Sequence, residues 1–169
     1  MRTIVTLKYG NKYSSNDVNT IYNMCKHQCQ NFWCRTDDPE GLEQGILTSH
    51  IKHSMGNWEK ILLLGKDFGG PTIYLDLDVI VQGNLTPLFN LCDEPTICET
   101  YWKDFGGAWN SSVMAWSCKN AAYIPEAFFK NFDYNLHKYD GKDDNFLYDG
   151  RFFKRTFPKG LIYSFLELG

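Results

Sequence analysis

The chain has 169 residues, 43% of them hydrophobic and 22% charged, and a formal net charge of -3. That length buries one substantial core rather than two, and no stretch is both highly charged and poor in apolar residues, so a single folded domain spanning the chain is expected. Nucleic acids and anionic membranes are disfavoured as partners because both need a concentrated positive field, so an anionic ligand has to be met locally, by a metal or a few lysines.

Residues 3–8 form a β-rich run that ends in the turn signal Tyr9-Gly10-Asn11. Lys8 interrupts this run before a signal-peptide core could form, and no apolar run reaches the ~18 to 20 residues that span a bilayer, so a cytoplasmic protein with no transmembrane segment is expected. Ser14-Ser15-Asn16-Asp17 has helix-start chemistry, and apolar residues at 18, 21, 22, 25 and 29 follow at helical spacing. Residues 32–35 read as a second strand that closes on Thr36-Asp37-Asp38-Pro39. A helix is expected over 57–68, separated by Gly69-Gly70-Pro71 from the most strand-like run, 72–75. Further strands are expected at 96–100 and 112–116, helices at 124–132 and 144–148, and a closing strand at 161–166. The strand-helix-strand opening points to an α/β sheet whose ligand side is the loop after each strand.

Cysteines stand at 25, 29, 34, 92, 98 and 118 without a Cys-x-x-Cys pair. Cys25, His27 and Cys29 could be imagined around a metal, but reduced thiols used as small core residues are the simpler expectation.

The chemistry concentrates in Ile73-Tyr74-Leu75-Asp76-Leu77-Asp78-Val79-Ile80-Val81, read here as one apolar strand carrying two carboxylates. Alternation along a strand places Asp76 and Asp78 on one face, where they repel unless a cation lies between them. A hard divalent ion meets that need, with carboxylates and diphosphate oxygens as its preferred ligands.

Tyr74-Leu75-Asp76-Leu77-Asp78-Val79, followed by Gly83-Asn84-Leu85-Thr86-Pro87-Leu88, resembles glycosyltransferase family eight, which includes glycogenin and bacterial galactosyl- and glucosyltransferases. The resemblance implies a single-domain, Rossmann-like α/β fold of the glycosyltransferase-A type, with a mixed, mostly parallel central sheet flanked by helices. It also implies a metal-dependent enzyme that transfers a hexose from a UDP-sugar, with retention of configuration. UDP-glucose is favoured over UDP-galactose, Mn2+ is the expected ion with Mg2+ as an alternative, and the acceptor is a glycan, a lipid-linked sugar or a protein.

Several segments take roles from the same resemblance. Leu7, Lys8 and Tyr9, with Tyr13, match the family's nucleoside-binding loop, and Asp37 matches an Asp that contacts base or ribose. Asp76 and Leu77 fall at the donor diphosphate, and Asp76 and Asp78 on the metal. Lys60 matches a basic helix position facing the donor, Asn110 a residue beside the donor sugar, and Asp144 an acid near the reacting centre. One tryptophan of Trp58, Trp102, Trp109 and Trp116 could stack on a sugar, although burial is the commoner fate of tryptophan. The family's third metal ligand, often a C-terminal His, has no match, since the last histidine is His137. Hydrophobic-Asp-x-Asp-x-Val also describes the nucleophile strand of haloacid-dehalogenase-type phosphatases, in which Asp76 would attack phosphate and Asp78 act as acid. A nucleotide-sugar-binding module without turnover is the third reading.

Overall fold

The structure, a computed structural model, describes residues 1–100, 108–117 and 119–164. In chain order the elements are β1 (Thr3–Lys8), α1 (Ser15–Cys25), a 3-10 turn (Lys26–Gln28), β2 (Asn31–Thr36), β3 (Ile46–His50), α2 (Trp58–Leu64), β4 (Pro71–Leu75), α3 (Thr86–Phe89), β5 (Thr96–Glu99), β6 (Trp109–Ser117), α4 (Tyr123–Lys130), α5 (Phe132–Tyr139), α6 (Asp143–Asp149) and β7 (Arg155–Thr156).

The strands form one seven-stranded sheet in the order β3-β2-β1-β4-β6-β5-β7. β1 runs parallel to β2 and β4, β2 to β3, and β5 to β7, whereas β6 is antiparallel to both its neighbours, β4 and β5. The result is a mixed, mostly parallel α/β sheet. The chain winds outward from β1 through β2 and β3, then resumes on the other side of β1 with β4. That reversal leaves a crevice beyond the carboxyl ends of β1 and β4, where open α/β sheets take their ligands.

Both faces of the sheet are covered. Ile4, Ile73, Leu75, Val113 and Ala115 pack on the side of α1 and α3, while Val5, Leu7, Tyr74, Met114 and Trp116 pack on the side of α2, α4 and α6. Strand periodicity produces this division, because neighbouring residues point to opposite faces. Fully buried side chains such as Ile73 and Phe128 each contribute about 1.5–3 kcal/mol. α2 carries two consecutive charged residues, Glu59 and Lys60, with only 1% and 7% of their surface exposed. Glu59 is held against β2 by Arg35, whose Nε and Nη2 both lie 2.6 Å from its Oε2. Lys60 turns the other way, into the crevice.

The structure corrects several expectations. The run 73–81 is not one strand: β4 ends at Leu75, and residues 76–79 form a turn in which the Val79 amide donates to the Asp76 carbonyl at 3.2 Å. The expected helix 57–68 is the shorter α2, because the Gly65 and Lys66 amides turn back to Leu62 and Leu63 well before the glycine pair. The helix expected over 124–132 breaks at Asn131, whose backbone (φ -131°, ψ 48°) separates α4 from α5. β7 rather than 161–166 closes the sheet: residues 161–164 are irregular, and 165–166 lie outside the described residues. β3 and α3 had no strong sequence signal; Leu47, Thr48 and His50 on β3 are exposed and do not alternate in polarity.

Candidate active site

The crevice beyond β1 and β4 is an open cleft of about 390 Å³. Leu7, Tyr9, Lys12 and Tyr13 come from the end of β1 and its loop, Asn57 and Lys60 from the start of α2, and Tyr74, Asp76, Leu77 and Asp78 from β4 and its turn. Ser111 and Ser112 on β6 and Asp143 and Asp144 on α6 complete the wall.

Its centre is a buried polar network around Lys60. The Lys60 ammonium donates to Asp76 Oδ2 at 2.9 Å and to Ser111 Oγ at 3.1 Å, and stands 3.9 Å from Asp143 Oδ2. Tyr74, two residues before Asp76 on the same face, donates its phenol to Asp76 Oδ1 at 2.6 Å. Ser111 Oγ donates to Asp143 Oδ2 at 2.7 Å, and the Ser111 amide donates to Asp144 Oδ1 at 2.7 Å, which fastens α6 to β6. The Asp76 amide itself donates to the Ser112 carbonyl at 2.9 Å, so β6 sets where the turn begins.

Electrostatics follow from burial and pairing. Burial pulls the Lys60 ammonium toward neutrality, but the charges of Asp76 and Asp143 outweigh it and its pKa is raised overall. Burial pushes the Asp143 carboxyl up to about 6 against the pull of Lys60, with the Asp144 charge adding to the rise. Tyr74 is raised well above the usual phenol range by complete burial and then by the charge of Asp76, so it remains a hydrogen-bond donor.

Asp78 sits at the exposed end of the turn and accepts from the Tyr13 phenol at 3.0 Å. The turn, rather than strand pleating, brings Asp76 and Asp78 to the same cleft. Among the described residues no group of three or more His, Cys, Asp or Glu side chains converges on a common ion. The donor set still suits a hard divalent cation: two carboxylates facing an open cleft leave room for water and substrate oxygens, a common arrangement for ions that bridge to phosphates. Asp76 already gives one lone pair of each oxygen to Lys60 or Tyr74, and carboxylate oxygens can accept further partners.

Other residues singled out in the sequence lie elsewhere. Lys8 is buried and its ammonium donates to the Asp38 carbonyl at 3.2 Å, outside the cleft lining, where Lys12 stands instead. Asp37 accepts the Gly10 amide at 2.8 Å and so braces the loop after β1 from behind. Gly10 adopts φ 60°, a conformation that suits glycine. Asn110 lines a neighbouring groove rather than the cleft, and its Oδ1 accepts the Ser112 amide at 3.0 Å. Trp58 and Trp116 are buried in the core, Trp109 packs edge-on against Tyr148 and Phe153, and Trp102 lies outside the described residues. Cys25 and Cys29 donate to the carbonyls one helical turn back, and burial pushes their thiols up to about 12 and about 11. Cys118 is outside the described residues.

Sequence reasoning missed Tyr74, Ser111 and Asp143. Tyr74 was discoverable from its two-residue spacing to Asp76, and Asp143 from its place beside Asp144, but the pairing of Ser111 with Lys60 spans 51 positions and leaves no local trace.

A second groove of about 580 Å³ lies next to the cleft, and Asp78 and Ser112 line both. Its floor is aliphatic, with Leu75, Leu85, Leu88 and Val113 buried beneath it.

No family model and no curated protein matches the chain. Among solved structures, the galactosyltransferase LgtC in complex with donor and acceptor sugar analogs is 15% identical at a TM-score of 0.61, covering 91% of this chain and 72% of its own. The glycosyltransferase GlyE of Streptococcus pneumoniae TIGR4, in its apo form, is 15% identical at a TM-score of 0.65; 93% of this chain aligns with it but only 45% of GlyE is spanned. A CMP:2-keto-3-deoxy-manno-octonic acid synthetase complexed with CTP is 11% identical at a TM-score of 0.54, covering 92% of this chain and 88% of its own. The chain therefore has the glycosyltransferase-A-type fold, one that also occurs in a synthetase, so activity has to be argued from the site.

Proposed function

We propose that this protein is a metal-dependent glycosyltransferase that moves a hexose from a UDP-sugar to an acceptor hydroxyl. The observation that carries this reading is the Lys60–Asp76 pair beside Asp78 at the fold's switch point, where the two carboxylates would take a divalent cation and Lys60 offsets part of their charge. In the reaction, the acceptor oxygen bonds to the anomeric carbon and the bond from that carbon to the diphosphate oxygen breaks. The electron pair leaves with UDP, and the hydroxyl proton passes to the departing diphosphate.

Each side chain has work to do in that step. Asp76 and Asp78 would hold a divalent cation, Mn2+ by family resemblance, which when bound neutralises the diphosphate and makes UDP a better leaving group. Tyr74 and Lys60 fix the Asp76 carboxylate so that little reorganisation is needed during the reaction. Lys60 offsets the charge of Asp76 and Asp143, which lowers the repulsion an incoming diphosphate would meet. Leu7, Tyr9 and Tyr13 form the side of the cleft suited to a nucleoside, and Asp144, anchored through one oxygen to β6, keeps the other to orient sugar hydroxyls. Glucose or galactose as the sugar, and retention, rest on the family resemblance.

In the phosphatase reading Asp76 would attack phosphorus through an oxygen that also accepts from Lys60 or Tyr74, and release of phosphate from a generic phosphomonoester would mark it. Purified protein incubated with a panel of nucleotide sugars, with and without manganese, separates the possibilities. Manganese-dependent release of UDP supports transfer. Pyrophosphate formation from a nucleoside triphosphate and a sugar acid would move the assignment to nucleotidyl transfer. Donor binding with no release under any acceptor would leave a binding module.

A further inference from the structure

The cleft lining holds four carboxylates, Asp76, Asp78, Asp143 and Asp144, and among the described residues two ammoniums, Lys12 and Lys60. Lys60 is committed to the acids: it donates to Asp76 and Ser111, faces Asp143, and keeps only 9% of its side chain exposed. An anion entering the cleft therefore meets its cation at Lys12, which is exposed at the rim. We propose that Lys12 grips the diphosphate of a nucleotide donor and is a donor-binding residue of this site; this rests on the transferase reading above.

Three observations favour this role. The first is position: Lys12 lies on the loop after β1 between Tyr9 and Tyr13, on the side of the cleft suited to a nucleoside, and its charge bears on Asp78 and Asp76 across the opening. A ligand with its base against Tyr9 or Tyr13 and its phosphates toward the carboxylate pair passes this ammonium. The second is its anchorage. The Lys12 ammonium lies 4.6 Å from the Tyr13 ring centroid and donates to the Tyr13 phenol, which in turn donates to Asp78 Oδ2 at 3.0 Å. An ammonium bound to a phosphate oxygen is charged on both sides and holds more strongly than one bound to a neutral phenol, so exchange from Tyr13 to a phosphate is favourable. A flexible four-carbon stem makes that exchange without moving the backbone. The third is charge. The four acids exceed the two lysines by two charges, which a divalent cation cancels. A diphosphate then arrives with negative charge that the lining has not matched, and Lys12 is the ammonium able to turn toward it.

The test measures binding of UDP and of uridine to the parent, Lys12→Met and Lys12→Arg by calorimetry with manganese present. Lys12 is exposed, so neither substitution touches the core. Lys12→Met should weaken UDP binding by about tenfold, the effect of one charge-assisted hydrogen bond, and leave uridine binding unchanged, while Lys12→Arg should keep most of the affinity for UDP. Manganese alone, followed by loss of the free ion's electron paramagnetic resonance signal, should bind to Lys12→Met as well as to the parent, because the carboxylates are untouched. An equal loss for uridine and UDP, or a loss of manganese binding in the absence of nucleotide, would reassign Lys12 to support of Tyr13 and Asp78 and overturn the proposal. A parent that binds UDP no better than uridine, or a Lys12→Met variant that binds UDP like the parent, would overturn it as well. Lys12-dependent UDP binding with no UDP release from any nucleotide sugar would sink the transferase reading while leaving the phosphate contact standing. Manganese-dependent UDP release with a donor KM that Lys12→Met leaves unchanged would do the reverse.

Discussion

Lys60 and Asp76 form an ion pair at 2.9 Å in which the ammonium side chain is 9% exposed and the carboxylate 22% exposed. The pair is neither a surface bridge, worth little, nor a sealed one: its carboxylate still faces the cleft. Lys60 also compensates Asp143 on α6, so a single ammonium holds two acids from two different elements.

Replacing Lys60 by Met keeps the side-chain volume and removes the charge. Breaking a buried pair from one side costs about 3–5 kcal/mol, and the lower end is expected because Asp76 reaches water and Asp143 can take up a proton. Urea unfolding at pH 7.5 should show this loss, and UDP release should fall by about a hundredfold or more, the size of effect seen when a preorganised charge at a reacting centre is removed. Lys60→Arg, which retains charge but not geometry, should recover stability better than activity.

Asp143 ties stability to pH in a definite direction. Its folded pKa of about 6 lies above its ordinary value of 3.8, so the folded chain binds this proton more tightly than the unfolded one. The contribution is complete below pH 4 and is lost as pH rises through about 6. Asp143→Asn, which has no proton to release, should match the parent near pH 4 and gain on it progressively up to pH 7. A constant difference across that range in paired denaturation curves would contradict the assignment.

Asp78 and Tyr13 lie at the exposed rim, so their substitutions separate function from folding. Asp78→Ala should change stability by no more than about 0.5 kcal/mol, yet abolish the manganese dependence of UDP release. Tyr13→Phe removes the 3.0 Å hydrogen bond to Asp78, along with the phenol's hydrogen bond to Lys12, and should weaken apparent manganese affinity by a few-fold. Manganese titration of activity reads both.

Asp140 caps α5 in the left-handed conformation, with φ 45° and ψ 54°. Asp140→Gly removes a side-chain clash that only glycine avoids and should stabilise the protein by about 0.5–1 kcal/mol, visible as a higher urea midpoint with unchanged slope. Asp140 is not among the cleft-lining residues, so UDP release should be largely unaltered.

The sheet's core was legible where strand periodicity and turn chemistry agree, as at Thr3–Lys8 and in the stretch closing at Leu75. The carboxylate pair was legible too, but the reason given for its alignment was not the operative one. Apolar Leu77 and Val79 suggested a continuous strand, whereas the pairing with β6 stops at the Asp76 amide's bond to Ser112 and the Val79 amide then closes a turn on the Asp76 carbonyl. Pairings across long separations, such as Lys60 with Ser111 or Arg35 with Glu59, depend on which strand lies beside which, and local spacing does not encode that. Lys8 and Asp37 stand in segments with a ligand-binding pattern and each also makes one hydrogen bond with a loop backbone, a pairing that local spacing does not reveal.

The placement of Glu59 and Lys60 back to back on α2 bears on how this protein moves. One residue is bolted to β2 through Arg35 and the next to β4 and α6 through Asp76 and Asp143. Sliding or rolling the helix would strand a buried charge on one side or the other. α2 therefore serves as a rigid back wall, and adjustment to ligands of different size falls to the more exposed loop after β1, residues 9–13.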